Sequence, residues 1–249
     1  MPTRLLLIHG SAADSSTWSI QRLSPFASTF ELIAYDRPDL TTVEAAADDA
    51  VARLGDDPTP ALVAGSSFGA VVALDAIRRY PARFAGAILI EPPMTSTEEP
   101  SSEQRAMFAA FDEVRAAKGD EAAAELFLRT VLGDAAYERM PKAFQDRSKA
   151  KAAQIRADSV ALLAYRPRYA ELSSVTLPVL LLGGDRSFEY FAPTLAALER
   201  SLPNAKRVTV ANAGHMLHAE AHRTFAQLVT DFANGSRPAE SRSRPAESH

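Results

Sequence analysis

Six short apolar runs, separated for the most part by helical segments, narrow the folds open to this chain more than any other feature. They cover residues 4–8, 31–35, 61–64, 85–90, 179–182 and 205–210 and are rich in Leu, Val and Ile. Such runs suit strands covered on both faces, as in a parallel sheet. The segments between them supply the cover. One spans residues 43–54. Another follows Ser67 as far as Tyr80, sets Val71, Leu74 and Ile77 at helical spacing, and stops at Pro81. Strand and helix in alternation imply parallel βαβ units in one sheet. The expected class is α/β: a mostly parallel sheet of about six or more strands, with helices on both faces.

Between residues 91 and 177 the rhythm breaks. A polar loop at 95–102 gives way to an Ala-rich helical stretch with apolar faces at Phe108, Phe111, Val114, Leu126, Phe127 and Val131. We read residues 95–170 as a helical cap inserted over the sheet, and residues 1–94 and 171–233 as the core. Met94, Phe108, Phe111, Met140, Phe144 and Tyr165 are candidates to line a pocket under the cap, or equally to pack it against the core. Residues 234–249 are predicted to be a disordered tail: SRPAES at 236–241 recurs at 243–248, and a polar duplication with two prolines has little to bury.

The 249 residues suit one large α/β domain, and 47% apolar residues can fill its core. A formal charge of −4 leaves no electrostatic footprint for a nucleic-acid backbone. The chain has no cysteine, which excludes disulfides, thiolate metal sites and cysteine nucleophiles. The apolar run at 5–8 is too short for a signal-peptide core, and no stretch approaches the roughly 20 apolar residues of a membrane span. The expectation is a soluble cytoplasmic protein with a small-molecule partner and no implied oligomeric state.

Gly65-Ser66-Ser67-Phe68-Gly69 has the form G-x-S-x-G, with an apolar run before it and a helix after it. A strand turning sharply into a helix strains the middle residue, and small residues two places to either side let the backbones pass. A glycine-rich turn can carry serines by chance; the strand and helix that flank this one make it a nucleophile elbow. Gly65 and Gly69 are the elbow glycines and Ser67 the candidate nucleophile. The amide of Phe68, at a helix N-terminus, can donate to a developing oxyanion. His9-Gly10-Ser11 follows the first run, where a tight turn would point the Ser11 amide back toward Ser67. Ser11 and Phe68 are therefore the expected oxyanion donors, and His9 is expected to hydrogen-bond its loop rather than move protons.

Gly214-His215 follows the last run, from which His215 can reach back to Ser67 as a general base. His218 and His222 stand four apart, a spacing that raises a metal site. The segment reads H-A-E-A-H rather than H-E-x-x-H, and no third ligand is evident. Both are expected to be packing or surface residues, and no metal is expected.

Taken jointly, these features resemble the α/β-hydrolase family, over residues 4–232. The residues that carry the resemblance are His9-Gly10, Trp18, Asp36-Arg37-Pro38, the elbow, the helical cap, Leu177-Pro178 and Gly214-His215. Three departures stand out. The chain begins at the strand before His9-Gly10, so the usual first hairpin is absent or reduced. The loop after Asp36 is clipped to Pro38-Asp39-Leu40. Finally, Ser187 occupies the place where relatives commonly carry the acid, with Asp185 two residues early. Some relatives place the acid at the end of the preceding strand, where Glu91 stands, 24 residues after Ser67. A glutamate closing a buried strand needs a partner, and a histidine nitrogen would serve. Glu91 is the preferred acid and Asp185 the alternative.

The resemblance implies a serine hydrolase that acts on an ester, thioester or similarly activated carbonyl through an acyl-enzyme, without a cofactor. Cofactor-free haloperoxidase, carbon–carbon bond hydrolase and lyase reactions share these motifs, as do non-enzymatic small-molecule binders of the same fold.

Overall fold

The computed structural model of the protein describes residues 2–236. Apart from Ser236, the SRPAES repeats lie outside the described residues. The strands are β1 (Thr3–Ile8), β2 (Phe30–Ala34), β3 (Ala61–Ser66), β4 (Phe84–Ile90), β5 (Val179–Gly184) and β6 (Ala205–Val210). All pair in parallel, in the order β2-β1-β3-β4-β5-β6. Among the described residues no hairpin precedes β1. The helices are α1 (Ser19–Arg22), α2 (Phe26–Thr29), α3 (Val43–Ala52) and α4 (Phe68–Arg79). They continue with α5 (Ser102–Lys118), α6 (Asp120–Leu132), α7 (Asp134–Arg139), α8 (Lys142–Lys149) and α9 (Ala152–Ala164), then α10 (Phe191–Ser201), α11 (Leu217–Glu220) and α12 (His222–Ser236).

The two-residue period of the strands divides the core. Leu6, Ile8, Val63, Leu89 and Leu181 face α3, α4 and α10. Leu5, Leu7, Leu62, Ile88 and Leu182 face Trp18, Phe26 and the Phe225–Val229 stripe of α12. Both faces of the inner strands are thus covered, which is why β1, β3, β4 and β5 read as near-continuous apolar runs, while the edge strands β2 and β6 expose Glu31, Lys206, Arg207 and Thr209. Strands β3 and β5 extend two residues past those runs, to Ser66 and Gly184.

Helices α5 to α9 all fall between β4 and β5. They pack around Phe111, Ala123, Ala124, Leu128, Tyr137 and Ile155, and Ala12, from the loop after β1, joins this cluster. Strand order reverses between β1 and β3, so the chain leaves their neighbouring carboxyl ends in opposite directions. Such a switch point opens a crevice. Ile8 pairs with Gly65 in register there, which sets the His9–Ser11 loop beside Ser67.

Candidate active site

Ser67 stands between β3 and α4 with φ 56° and ψ −125°, a strained backbone for a residue bearing a Cβ. Its N–H donates to Ile90 O at 2.8 Å, tying the elbow to the end of β4. The motif glycines are a steric requirement. A Cβ on Gly65 would lie 2.1 Å from Gly69 O, and one on Gly69 would lie 2.3 Å from Ile8 O. Phe68 opens α4, where the first amides have no acceptor within the helix.

Glu91 follows β4 directly, also at positive φ (44°), and its side chain is buried. Its Oε1 accepts from Gly184 N at 2.8 Å. Its Oε2 accepts from Ser187 Oγ at 2.7 Å and lies 2.6 Å from His215 Nδ1. The two oxygens thus take three hydrogen bonds, as a buried carboxylate requires. The ring of Phe191 stacks on His215, with centroids 4.5 Å apart and planes 7° from parallel. The imidazole is therefore held at one nitrogen and across one face, with Nε2 left to act. Asp185 is placed otherwise: its carboxylate accepts from Ala213 N at 3.2 Å and braces the loop that carries His215. Ser187, at the place where the resemblance leads one to expect the acid, donates instead to the Glu91 carboxylate.

His9 is buried. Its Nε2 accepts from Arg37 N at 2.9 Å, so Nδ1 carries the proton that Gly10 O accepts at 2.9 Å. Burial, with Arg37 adding to it, lowers its pKa to about 3. Gly10 abuts the serine: a Cβ there would lie 2.9 Å from Ser67 Cβ. Ser11 Oγ donates to Asp158 Oδ2 at 2.7 Å. His218 is fully buried with its ring centroid 4.5 Å from that of Trp18, and burial lowers its pKa to about 3. His222 begins a different helix, α12. Among the described residues no three or more His, Cys, Asp or Glu side chains cluster as a metal site.

A cavity of about 620 Å³ takes in Ser67, His215, Gly10 and Ser11. The helical insertion adds Phe127, Leu128, Val131, Met140 and Phe144 to its wall, and Arg139, Arg147, Lys151 and Arg186 bring positive charge. Of the six side chains considered for pocket or packing, Met140 and Phe144 line the cavity. Met94, Phe108 and Tyr165 pack in the core, and Phe111 packs among the insertion helices.

Three features escaped the sequence reading: Ser187 as a donor to Glu91, Phe191 as the stacking partner of His215, and a buried ion pair between Arg37 and Asp158 at 2.8 Å. Ser187 and Arg37 stood in the motifs already named, but nothing there pointed to these partners.

A family model described as alpha/beta hydrolase family matches residues 5–228. Among similar solved structures is a thermophilic esterase from Thermogutta terrifontis, with a TM-score of 0.78 and 21% identity over 96% of this chain and 92% of that one. An enol-lactonase from Burkholderia xenovorans LB400 superposes with a TM-score of 0.79 and 19% identity, covering 94% and 92% of the two chains. MenH from S. aureus does so with 0.80 and 17% identity, covering 95% of each. At these identities the likeness is one of fold. No curated protein matches the chain by sequence.

Proposed function

The chain belongs to the alpha/beta hydrolase family, and from that premise we propose that it is a serine hydrolase acting on an ester, thioester or similarly activated carbonyl of a small molecule. Ser67 Oγ attacks the carbonyl carbon and His215 Nε2 takes its proton. Glu91, on Nδ1, fixes the tautomer and stabilises the imidazolium. The amides of Ser11 and Phe68 receive the oxyanion. The leaving group departs with the proton from His215. Water, deprotonated by the same nitrogen, then releases the acid from Ser67. These steps need no cofactor. Asp185 holds the histidine loop and takes no part in them.

The observation that carries this reading is the 2.6 Å contact of Glu91 with His215 on the wall of the cavity that also takes in the strained Ser67. The apolar insertion residues around that cavity suit a small substrate with a hydrophobic part. The esterase and the enol-lactonase among the similar folds agree with a carbonyl substrate. A fluorophosphonate probe tests the chemistry before any substrate is known. Label should appear on Ser67 and vanish in Ser67→Ala, with the fold kept. Label that survives in Ser67→Ala and disappears in Ser66→Ala would move the nucleophile one residue. A panel of p-nitrophenyl esters and thioesters then separates the carbonyl classes.

A further inference from the structure

We propose that Arg37 and Asp158 are positioning residues, a buried ion pair through which helix α9 of the insertion fixes the peptide that presents the Ser11 amide to the oxyanion. The proposal rests on the reading of Ser67 as the nucleophile.

The two side chains are 2% and 1% exposed. They meet as a fork, Nη1 to Oδ1 at 3.1 Å and Nη2 to Oδ2 at 2.8 Å, which fixes the guanidinium plane. Stability is a weak reason for such a pair, since desolvation offsets most of the attraction and apolar replacements often do as well. What Arg37 does with its other hydrogens is more telling. Nε donates to His9 O at 2.9 Å and Nη2 to Gly10 O at 3.2 Å. The guanidinium also lies 4.7 Å from the centroid of the Phe68 ring, beside the other expected oxyanion donor.

Gly10 O and Ser11 N belong to one peptide unit. The described peptides are all trans, and in a planar trans unit the C=O and N–H point in opposite directions. Gly10 O accepts from both Arg37 Nη2 and His9 Nδ1. Two donors on the oxygen leave the N–H one direction, away from the guanidinium. The far side of the unit is held as well, by Ser11 Oγ on Asp158 Oδ2 at 2.7 Å. One turn earlier on α9, Gln154 Oε1 accepts from Ala13 N at 3.3 Å. The insertion therefore holds the loop within one peptide of the residue that abuts Ser67.

The test uses the full chain and two probes, a fluorophosphonate and its P=S analogue. In each, Ser67 Oγ bonds to phosphorus, fluoride leaves, and the proton passes to His215. The P=O oxygen calls on the oxyanion donors; sulfur is the weaker acceptor and calls on them less. Outright loss of one donor costs roughly 10²–10³ in rate. A donor displaced but still present should cost less, so Asp158→Asn should label roughly 10- to 100-fold more slowly with P=O and change little with P=S. Should that variant not fold, the double variant Arg37→Met/Asp158→Leu decides. It removes both buried charges together; Tm should fall by several degrees because His9 O and Ser11 Oγ lose partners, but the folded protein should still lose the P=O preference. Arg156→Gln, on the same helix but pairing with Asp112 at the surface, should label like the parent. A double variant that labels at the parental rate, or equal slowing with both probes, would reduce the pair to a strut. No label on the parent protein would refute the nucleophile and the positioning role together. A labelled parent with unaffected variants would refute positioning alone.

Discussion

Glu91→Gln is isosteric, and the geometry around the carboxylate says which way the new amide must turn. Gly184 N–H points at Oε1 from 2.8 Å, while Ser187 Oγ and His215 Nδ1 lie 2.7 and 2.6 Å from Oε2. An NH₂ set toward Gly184 would face another donor, and two buried donors in opposition cost on the order of 1–3 kcal/mol. The amide oxygen therefore takes the Gly184 bond and the NH₂ faces the histidine. Nδ1 must then accept, which moves the ring proton to Nε2, where Ser67 needs an acceptor. The fold should survive, because the shape is unchanged and Phe191 still stacks on the ring. The rate should fall by roughly 10⁴, the effect of a wrong tautomer in this kind of triad. That corresponds to about 5.5 kcal/mol of barrier. The assay is kcat on whichever p-nitrophenyl ester the parent turns over, with Tm as the check on folding. Asp185→Asn, which touches only the Ala213 amide, should cost on the order of tenfold through the loop. A Glu91→Gln enzyme within tenfold of the parent, beside a dead Asp185→Asn, would refute the assignment of the acid.

His215→Ala should lower kcat by on the order of 10⁴ or more, while His222→Ala should leave it near the parent's; steady-state kinetics on one ester checks both. Gly69→Ala should be among the most destabilising single substitutions, about 4 kcal/mol or more, because its Cβ would lie 2.3 Å from a strand carbonyl; urea unfolding measures it. His9 and His218 set the behaviour in acid. Each has its pKa lowered from 6.5 to about 3 by burial, so below pH 6.5 the unfolded chain binds protons that the native protein refuses. Neither contributes a slope above that value. Urea midpoints should therefore drop from pH 6.5 toward pH 4, with a linkage of at most two protons less the share taken up in the native state by Asp75, whose pKa burial raises, and a rise over that interval would refute the burial of both rings as neutral groups.

The sheet was legible because its strands are covered on both faces. Burial of alternate side chains against α4 and α12 demands apolar residues at nearly every position of the inner strands β1, β3, β4 and β5, so these appear as short near-continuous runs, whereas the edge strands β2 and β6 carry exposed Glu31, Lys206, Arg207 and Thr209. Where the demand is for absence of a side chain, the apolar run ends before the strand does, at Gly65 in β3 and at Gly183 in β5. The strained turn at the candidate nucleophile Ser67 was legible for a related reason. Close backbone approaches at Gly65 and Gly69 exclude every Cβ, and that leaves glycines at fixed spacing around the serine. The acid was half legible. The proposed acid, Glu91, showed as a glutamate closing an apolar strand, beside a serine at 187 where an acid was due. That Ser187 turns its hydroxyl onto Glu91 follows only from the approach of the two strand ends.

The Arg37–Asp158 pair was not legible at all, and the cause is topological. The partners are 121 residues apart, one on the loop after β2 and the other on α9. Periodicity speaks for neighbours along a helix or strand, and a motif speaks for neighbours along the chain; neither reports a contact made when an insertion folds back over the sheet. Asp158 stands on α9 two residues after Arg156, and its place in the sequence does not say which cation it meets. Arg37 looked like part of a loop motif. Only their meeting makes the peptide orientation of the loop depend on the helical insertion, so this part of the proposed site is the part that local sequence carries least.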